Sequence, residues 1–370
     1  MSDVVFILGA GASRDCGGPL MSDFLDISQE LLLSRKVDDK EEEFKRVFEA
    51  IGGLQRVHSK AQIDLYNIES IFTALELGKV IKRFPNLSEE SIDSTINALK
   101  ALIVRTLEAR IEFRRRNGRV IAPKTYRAFV DLIKGIQERR ANPLSCSVIT
   151  FNYDIALDYA LVSEELTPNY CLTPQSGGGF PLLKLHGSVN WASKGVGQEK
   201  RIRPVDLASI YRQTQTFPDQ DDTVTKLLVG SDIRASIQDR EVDQQPVIVP
   251  PSWNKADYHR DLTEVWSNAA SHLSEADYIF VIGYSLPETD SFFRHLYALG
   301  SESSKPLKKI GVFDPMPKGT AVDQRFRKLL GPGAEARYEY FENDFTAAIK
   351  SIKEFFGLPS TTLPRSFFAG

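Results

Sequence analysis

Five short stretches carry residue types and spacings that suit chemistry. The first is Gly9-Ala10-Gly11-Ala12-Ser13. A glycine turn that leaves a first strand and opens toward a helix aims backbone N–H groups and the positive helix end at an anion, typically a pyrophosphate. A tight structural turn is the alternative. A dehydrogenase fingerprint would need a third glycine where this chain has Arg14, and no Gly-Lys-Ser/Thr ending follows for a P-loop. The second is Thr150-Phe151-Asn152-Tyr153-Asp154: Asn152 both donates and accepts hydrogen bonds, while Asp154 accepts from a hydroxyl or an amide. Asp154 equally suits the N-cap of a helix over 155–161. The third is Leu185-His186-Gly187, where a histidine follows a short apolar run and precedes a glycine that lets backbone approach a ligand. Gly283-Tyr284-Ser285-Leu286 and Asp314-Pro315 complete the set. An acid at a strand end can accept both hydroxyls of an adenosine ribose, and Asp314 also suits a turn before Pro315.

These stretches must be positioned by the short apolar runs at 3–8, 147–151, 182–186, 278–283 and 309–313; another such run lies at 247–250. Helical patterns fall between most of them, which predicts an α/β fold with a Rossmann-like parallel sheet and helices on both faces. Ligands of such sheets bind at the carboxyl ends of the strands. From about 22 to 145 the period is 3.6. Phe24, Ile27 and Leu31 share one face, as do Phe44, Val47, Phe48 and Ile51, and as do Ile68, Ile71, Phe72 and Leu75. A long helix is expected from a Ser88 N-cap to Asn117-Gly118, and another after Pro123. The predicted organisation is a sheet domain over 1–21 and 146–356, a large α-helical insertion over 22–145, and a tail over 357–370. The stretch 192–245 has little periodicity and reads as a long excursion or lid. Arg110, Arg114, Arg115, Arg116 and Arg119 gather at the expected end of the long helix, where positive charge complements the dipole; an acidic partner or nucleic acid is the alternative.

The 370 residues are 42% hydrophobic and 26% charged, with a formal net charge of -3. That composition excludes disordered, collagenous and coiled-coil classes and gives no overall drive toward nucleic acid or membrane. Cys16, Cys146 and Cys171 form no Cys-x-x-Cys pair, so no disulfide framework or four-thiolate zinc site is expected, and a reducing, cytoplasmic setting fits. No apolar run approaches the ~18 residues of a membrane span.

In order and spacing, GAGAS at 9–13, Gly18-Pro19, TFNYD at 150–154, LHG at 185–187, GYSL at 283–286 and Asp314 resemble the sirtuin (silent information regulator) superfamily. The resemblance implies that Gly9, Ala10, Gly11, Ala12 and Ser13 bind the pyrophosphate of NAD, with Pro19 close behind. It places Asn152 at the nicotinamide ribose, with Tyr153 beside it, and Asp154 at the carboxamide. His186 is then the base toward a ribose hydroxyl, and Gly283, Ser285 and Asp314 meet the adenosine side. The paired cysteines of the protein-deacetylating sirtuins are missing, Phe151 and Tyr153 replace Gln and Ile, and Asp314 replaces Asn. The chain therefore looks like the bacterial sirtuin-like branch that consumes NAD in antiphage defence.

The implied reaction breaks the nicotinamide–ribose bond through an oxocarbenium-like transition state, with NAD as substrate, no metal, and water as nucleophile. The alternatives are an ADP-ribosyltransferase or NAD-dependent deacylase, which share the first step, and a sensor of NAD or ADP-ribose without turnover. An unrestrained NAD hydrolase would kill its host, so control by a homo-oligomer or a partner is expected; relatives of this kind are found as oligomers, some with a HerA-type ATPase. The insertion, the 192–245 stretch and the tail with Phe367 and Phe368 are the expected contact regions.

Overall fold

β1 (Val4–Leu8) is buried along its whole length, as a continuous Val/Ile/Leu/Phe run at the centre of a parallel sheet must be. The computed structural model describes residues 1–55, 63–116, 119–174, 177–195, 200–213, 223–249, 256–287, 290–300 and 305–359. After β1 come the helices α1 (Phe24–Leu33), α2 (Glu41–Leu54), α3 (Ile68–Val80) and α4 (Glu89–Arg110). The strands β2 (Phe113–Arg116) and β3 (Arg119–Ile121) and the helix α5 (Lys124–Gln137) lead to β4 (Cys146–Thr150). Next are α6 (Ala156–Ser163), β5 (Pro168–Asn169), β6 (Phe180–Lys184), β7 (Gly187–Lys194) and β8 (Arg201–Pro204). They are followed by α7 (Leu207–Gln213), β9 (Val224–Thr225), α8 (Ile233–Ile237), β10 (Val242–Ile248) and α9 (Ala256–Ser274). The chain closes with β11 (Tyr278–Ile282), α10 (Ser291–Gly300), β12 (Lys309–Phe313), α11 (Ala321–Leu329), α12 (Pro332–Glu335), β13 (Tyr338–Phe341) and α13 (Phe345–Phe355).

Seven strands form one sheet in the order β13-β12-β11-β1-β4-β6-β5, and every neighbouring pair is parallel. Ranked by position in the chain and leaving aside the two-residue edge strand β5, the order from β6 to β13 is 3-2-1-4-5-6, the arrangement of dinucleotide-binding sheets. The chain is thus an α/β protein with a Rossmann-like parallel sheet, helices on both faces and a helix-rich insertion after β1. Phe6 and Phe280 are register partners and share a face. Phe129 of α5 meets Phe6 edge-on at 5.0 Å, and Phe355 and Phe356 at the end of α13 pack on Phe280.

The insertion helices bury the faces that their 3.6 period marks. Phe44, Val47 and Ile51 of α2, Ile71, Phe72 and Leu75 of α3, and Ile96, Leu99 and Ile103 of α4 all lie in the core. Asn67 caps α3 by accepting from the Glu69 N–H at 2.9 Å. The long helix does not run to Asn117-Gly118, which lie outside the described residues. It stops at Arg110, and the following arginines form a hairpin in which Arg114 pairs with Ile121 and Arg116 with Arg119. The expected complement between this cluster and the helix dipole is therefore corrected: only Arg110 is in the last turn of α4. Backbone pairing of Phe113 and Arg114 with β9 draws the segment into a three-stranded sheet.

A second correction concerns the run at 247–250. It does not join the parallel sheet: β10 pairs antiparallel with β7, which pairs antiparallel with β8. Pro250 lies outside the described residues. The 192–245 stretch, expected as an excursion, contains most of this small sheet together with α7 and α8. Its short strands, interrupted by register shifts between Val242 and Ile248, leave no clean alternation to read. Glu108 of α4 is buried against the turn after β9 and accepts from the backbone N–H of Ser231 at 3.2 Å, which fixes the small sheet to the insertion. Residues 360–370 of the tail lie outside the described residues.

Candidate functional site

The five central strands end in one straight row. Phe313, Ile282, Leu8, Thr150 and Lys184 are successive register partners across β12, β11, β1, β4 and β6. Immediately beyond this row stand Asp314, Gly283, Gly9, Asn152 and His186, so every motif singled out in the sequence reaches the same carboxyl edge. At roughly 4.8 Å between strands the row spans about 19 Å. The midpoint of the six strands from β6 to β13, between β1 and β11, is the topological switch point where ligands of open α/β sheets bind.

At that midpoint two glycine turns interlock. Gly11 N–H donates to the Gly283 carbonyl at 2.9 Å, and Gly9 N–H to Ile282 at 3.2 Å. A Cβ on Gly9 would lie 2.6 Å from the Gly283 oxygen, and Gly283 itself has φ +61°. The contact between the loops therefore demands glycine on both sides, whatever ligand approaches. Ala12 N–H bonds to the Gly9 carbonyl, opening the short 3₁₀ helix Ala10–Cys16, and Pro19, just after it, is buried.

Ser13 is the hub of the β1–β4 side. Its hydroxyl donates to Asp154 Oδ2 at 2.7 Å and accepts from Asn152 Nδ2 at 3.1 Å. Since a hydroxyl has one proton, the Tyr126 hydroxyl, 2.8 Å away, donates to Ser13. The same accounting orients the Asn152 amide and leaves its carbonyl oxygen without a hydrogen bond among the described residues. Asp154 also accepts from the Ala156 N–H at 2.9 Å, so it serves the start of α6 as well as the site. Burial pushes its carboxyl up, against the pull of the Lys184 ammonium and the Ser13 hydrogen bond.

Beneath this turn runs a chain of buried polar groups. Lys184, at 1% side-chain exposure, donates to the Asp154 carbonyl at 2.6 Å and pairs with Asp158 at 3.0 Å. The Tyr170 hydroxyl donates to Asp158 at 2.7 Å and accepts from Asn190 at 3.0 Å. Ser188 lies 2.6 Å from Asn190 Oδ1 and 3.1 Å from the Tyr153 carbonyl, which also accepts from the Val189 N–H. Such a chain is rigid when every member is satisfied, and it holds the Asn152–Asp154 turn from below.

His186 sits in an aromatic cage. Phe151 meets it edge-on at 5.1 Å and is itself stacked on Tyr284 at 4.1 Å; Tyr153 lies 6.0 Å away. Its Nε2 is 3.3 Å from Asp290 Oδ1, both side chains are buried, and the Tyr284 hydroxyl donates to Asp290 Oδ2 at 3.0 Å. Burial pushes the Tyr153 and Tyr284 phenols well above their ordinary range, and the nearby carboxylates of Glu69 and Asp290 push further. Gly187, at φ +83°, follows the histidine where a Cβ would lie 2.1 Å from the Val247 carbonyl. The Tyr153 hydroxyl donates to the Val249 carbonyl at 3.1 Å, and the Val249 N–H to the His186 carbonyl at 2.8 Å.

At the far end of the row the polar groups are fewer. Asp314 accepts from the Met316 N–H at 2.9 Å, which is the turn role its position before Pro315 suggested, and Ser285 is half-buried with no side-chain hydrogen bond among the described residues. Tyr126, Lys184, Asp158, Tyr170, Asn190, Asp290 and Glu69 were not picked out from sequence. The one local signal was the lysine inside an otherwise apolar run at 180–185. Among the described residues no group of three or more His, Cys, Asp or Glu is placed to hold a metal ion. No helix among them is long and apolar enough to cross a membrane.

No protein-family model and no curated protein matches the chain. Among solved structures it is similar to a Sir2 homolog–NAD complex, at 12% identity over 96% of this chain and 91% of that one, with a TM-score of 0.39. A Sir2 homologue mutant in complex with ADP-ribose matches at 12% identity over 97% and 95%, with a TM-score of 0.41. Sir2 bound to the inhibitor EX-527, 2'-O-acetyl-ADP-ribose and a deacetylated peptide matches at 13% identity over 96% and 94%, with a TM-score of 0.38.

Proposed function

We propose that the protein is an NAD glycohydrolase, cleaving NAD to nicotinamide and ADP-ribose, and that it acts as the effector of a bacterial antiphage system. The observation that carries this reading is the row of strand ends. Hydrogen-bonding and proton-accepting groups, Asn152 with Ser13 and His186, crowd one end, and an acid suited to a ribose, Asp314, stands three strand spacings from Asn152 and four from His186, roughly 14–19 Å. A ligand with a reactive sugar at one end and a second ribose at the other matches that spacing of groups. The order of the motifs and their likeness to the sirtuin superfamily support NAD as that ligand.

In the reaction, a water oxygen bonds to the ribose C1' as the C1'–nicotinamide bond breaks. The bonding electrons leave with nicotinamide, whose ring charge they neutralise, and the water's surplus proton is released. Positive charge builds on the ribose in the transition state. The carbonyl oxygen of Asn152 accepts from a ribose hydroxyl or from the water, and His186 takes a proton from a ribose hydroxyl as the cation forms and returns it once the water has added. Gly9 to Ser13 line the switch point where a pyrophosphate lies in sheets of this order. Tyr153 and Asp154 stand toward the nicotinamide, and Gly283 and Ser285 toward the adenosine.

Mass spectrometry of NAD incubated with the purified protein tests the reading: nicotinamide and ADP-ribose are expected in equal amounts. Acyl-lysine peptides leave the rate unchanged if water is the acceptor, whereas peptide-dependent O-acyl-ADP-ribose establishes the deacylase alternative. Binding without turnover establishes the sensor. We further propose a cytoplasmic homo-oligomer whose assembly, alone or with a HerA-type ATPase, controls turnover. Light scattering and NAD turnover measured on the same dilution series check this, and a monomer with constant activity overturns it.

A further inference from the structure

We propose that Asp290 is a positioning residue for His186, holding the imidazole in one tautomer with its basic nitrogen directed by the pair, and that Tyr284 orients Asp290 in turn. The inference rests on the hydrolase reading and adds to it a pair that no motif marks. The histidine belongs to the loop after β6 and the acid to the residue before α10, 104 positions later, yet Nε2 and Oδ1 lie 3.3 Å apart with both side chains nearly inaccessible, an ion-pair contact not aligned as a hydrogen bond, of the kind that tightens when a ligand binds.

Three features distinguish this contact from an incidental one. The second oxygen of Asp290 is held by the Tyr284 hydroxyl at 3.0 Å, so the carboxylate cannot rotate away without breaking a buried hydrogen bond. Phe151 lies against the histidine ring and is stacked within 3° of parallel on Tyr284, so the same aromatic pair sets the plane of the imidazole and the place of the acid's donor. The histidine backbone is pinned by Val249 and by the glycine that follows it. A carboxylate beside one ring nitrogen keeps the proton there and leaves the other nitrogen as the base. That is the orienting role of the third member in nucleophile–base–acid arrangements.

Among the described residues, the titratable and charged groups seen around the ring are Asp290 before α10, Tyr284 after β11 and Tyr153 after β4. Behind the two phenols are Glu69 of α3 and, beside Tyr284, Arg294 of α10. Asp290 lies in direct reach of Nε2, so its removal changes the ring's titration.

The test compares Asp290→Asn, Asp290→Glu and wild type in the full-length protein. Asparagine keeps the shape but removes the charge. Its kcat is expected to fall at least ~10-fold with KM nearly unchanged. The acid limb of the pH–rate profile moves to lower pH by about one unit or more, because a lost carboxylate no longer favours the imidazolium. Glutamate restores part of kcat and returns the limb. Histidine-selective NMR titration, with His186 assigned by its loss in His186→Ala, reads the same shift without any turnover. An unchanged limb and an unchanged His186 titration in Asp290→Asn overturn the proposal. A wild type that binds NAD and never cleaves it, with the His186 titration still moved by Asp290→Asn, overturns the hydrolase reading and upholds the pairing.

Discussion

The two ends of the same parallel sheet treat charge in opposite ways. At the amino end, Asp3 accepts from the Ser145 N–H and hydroxyl and pairs with Lys305 at 3.2 Å, while Asp277 pairs with Lys308 at 2.9 Å and Lys305 at 3.4 Å. Lys308 is open to water and Lys305 half-buried, while the Asp277 carboxylate that both reach is buried; contacts whose cation reaches water are individually weak. At the carboxyl end, Lys184, Asp158, Asp154, His186 and Asp290 are all buried and each is answered by a specific neighbour. One end closes the fold with ion pairs whose lysines reach water, beside the buried His272. The other holds polar groups out of water, where position is strict and loss is costly. The direction of the strands alone does not make this difference; it comes from which residues stand just past the last strand position.

Substitutions can break or sharpen that contrast. The largest effect is expected from Lys184→Met, which strands Asp158 without its cation and should cost ~3–5 kcal/mol in urea unfolding; a loss below 1 kcal/mol would mean that the buried chain is not a structural anchor. Next, Asn152→Ala and His186→Ala should each reduce NAD cleavage by at least ~100-fold, near 2.7 kcal/mol in the barrier, with the circular dichroism of the wild type. Full nicotinamide release by both variants removes them from the site.

At the amino end the sensitive group is His272, whose Nδ1 is 3.0 Å from the Ser2 hydroxyl. Burial, with the nearby N-terminal charge, lowers it from 6.5 to about 4. Below 6.5 the unfolded chain binds a proton that the folded one refuses until about pH 4, so stability is lost as pH falls through this window. Wild type should be about 2 kcal/mol less stable at pH 5 than at pH 7 from this group, and His272→Gln should flatten that slope; equal slopes in urea titrations at the two pH values would refute it. The smallest effect is expected from Asp3→Asn: roughly 0.5–1 kcal/mol, diminished by salt, with NAD turnover unaltered. A turnover defect there would show that the two ends are coupled.

The legibility of these regions in the sequence differs for the same physical reasons. A buried parallel strand is a continuous apolar run, so β1, β4, β6, β11 and β12 announce themselves, and the motif residues follow because each stands next to a run. Their gathering at one edge follows from parallel strands. β10 misled because it too is a short apolar run, and only its antiparallel pairing with β7 sets it apart. The hairpin of β2 and β3 was hidden because its arginines continue a charged helix locally, while the third strand that completes its sheet, Val224 and Thr225, lies more than 100 positions on. Tyr126 and Asp290 lacked any signal, since the first looks like one apolar position of an amphipathic helix and the second like a turn residue. What made them functional candidates is contact with Ser13 and His186 across the fold.

The central strand carries a consequence for the timing of synthesis. β1 needs β4 on one side and β11 on the other, and Val4 pairs with Tyr278, so the edge that holds Gly9 is incomplete until nearly the whole chain exists. At roughly 5–20 residues per second, the 274 positions between Leu8 and Ile282 take about 15–55 s to emerge from the ribosome. During that interval the nascent chain gains Ser13, then Asn152 and then His186, but neither the interlocking Gly283 turn nor Asp290. A chain that ends before residue 283 carries only half of the strand-end row, without the Gly283 turn that Gly9 and Gly11 lock against.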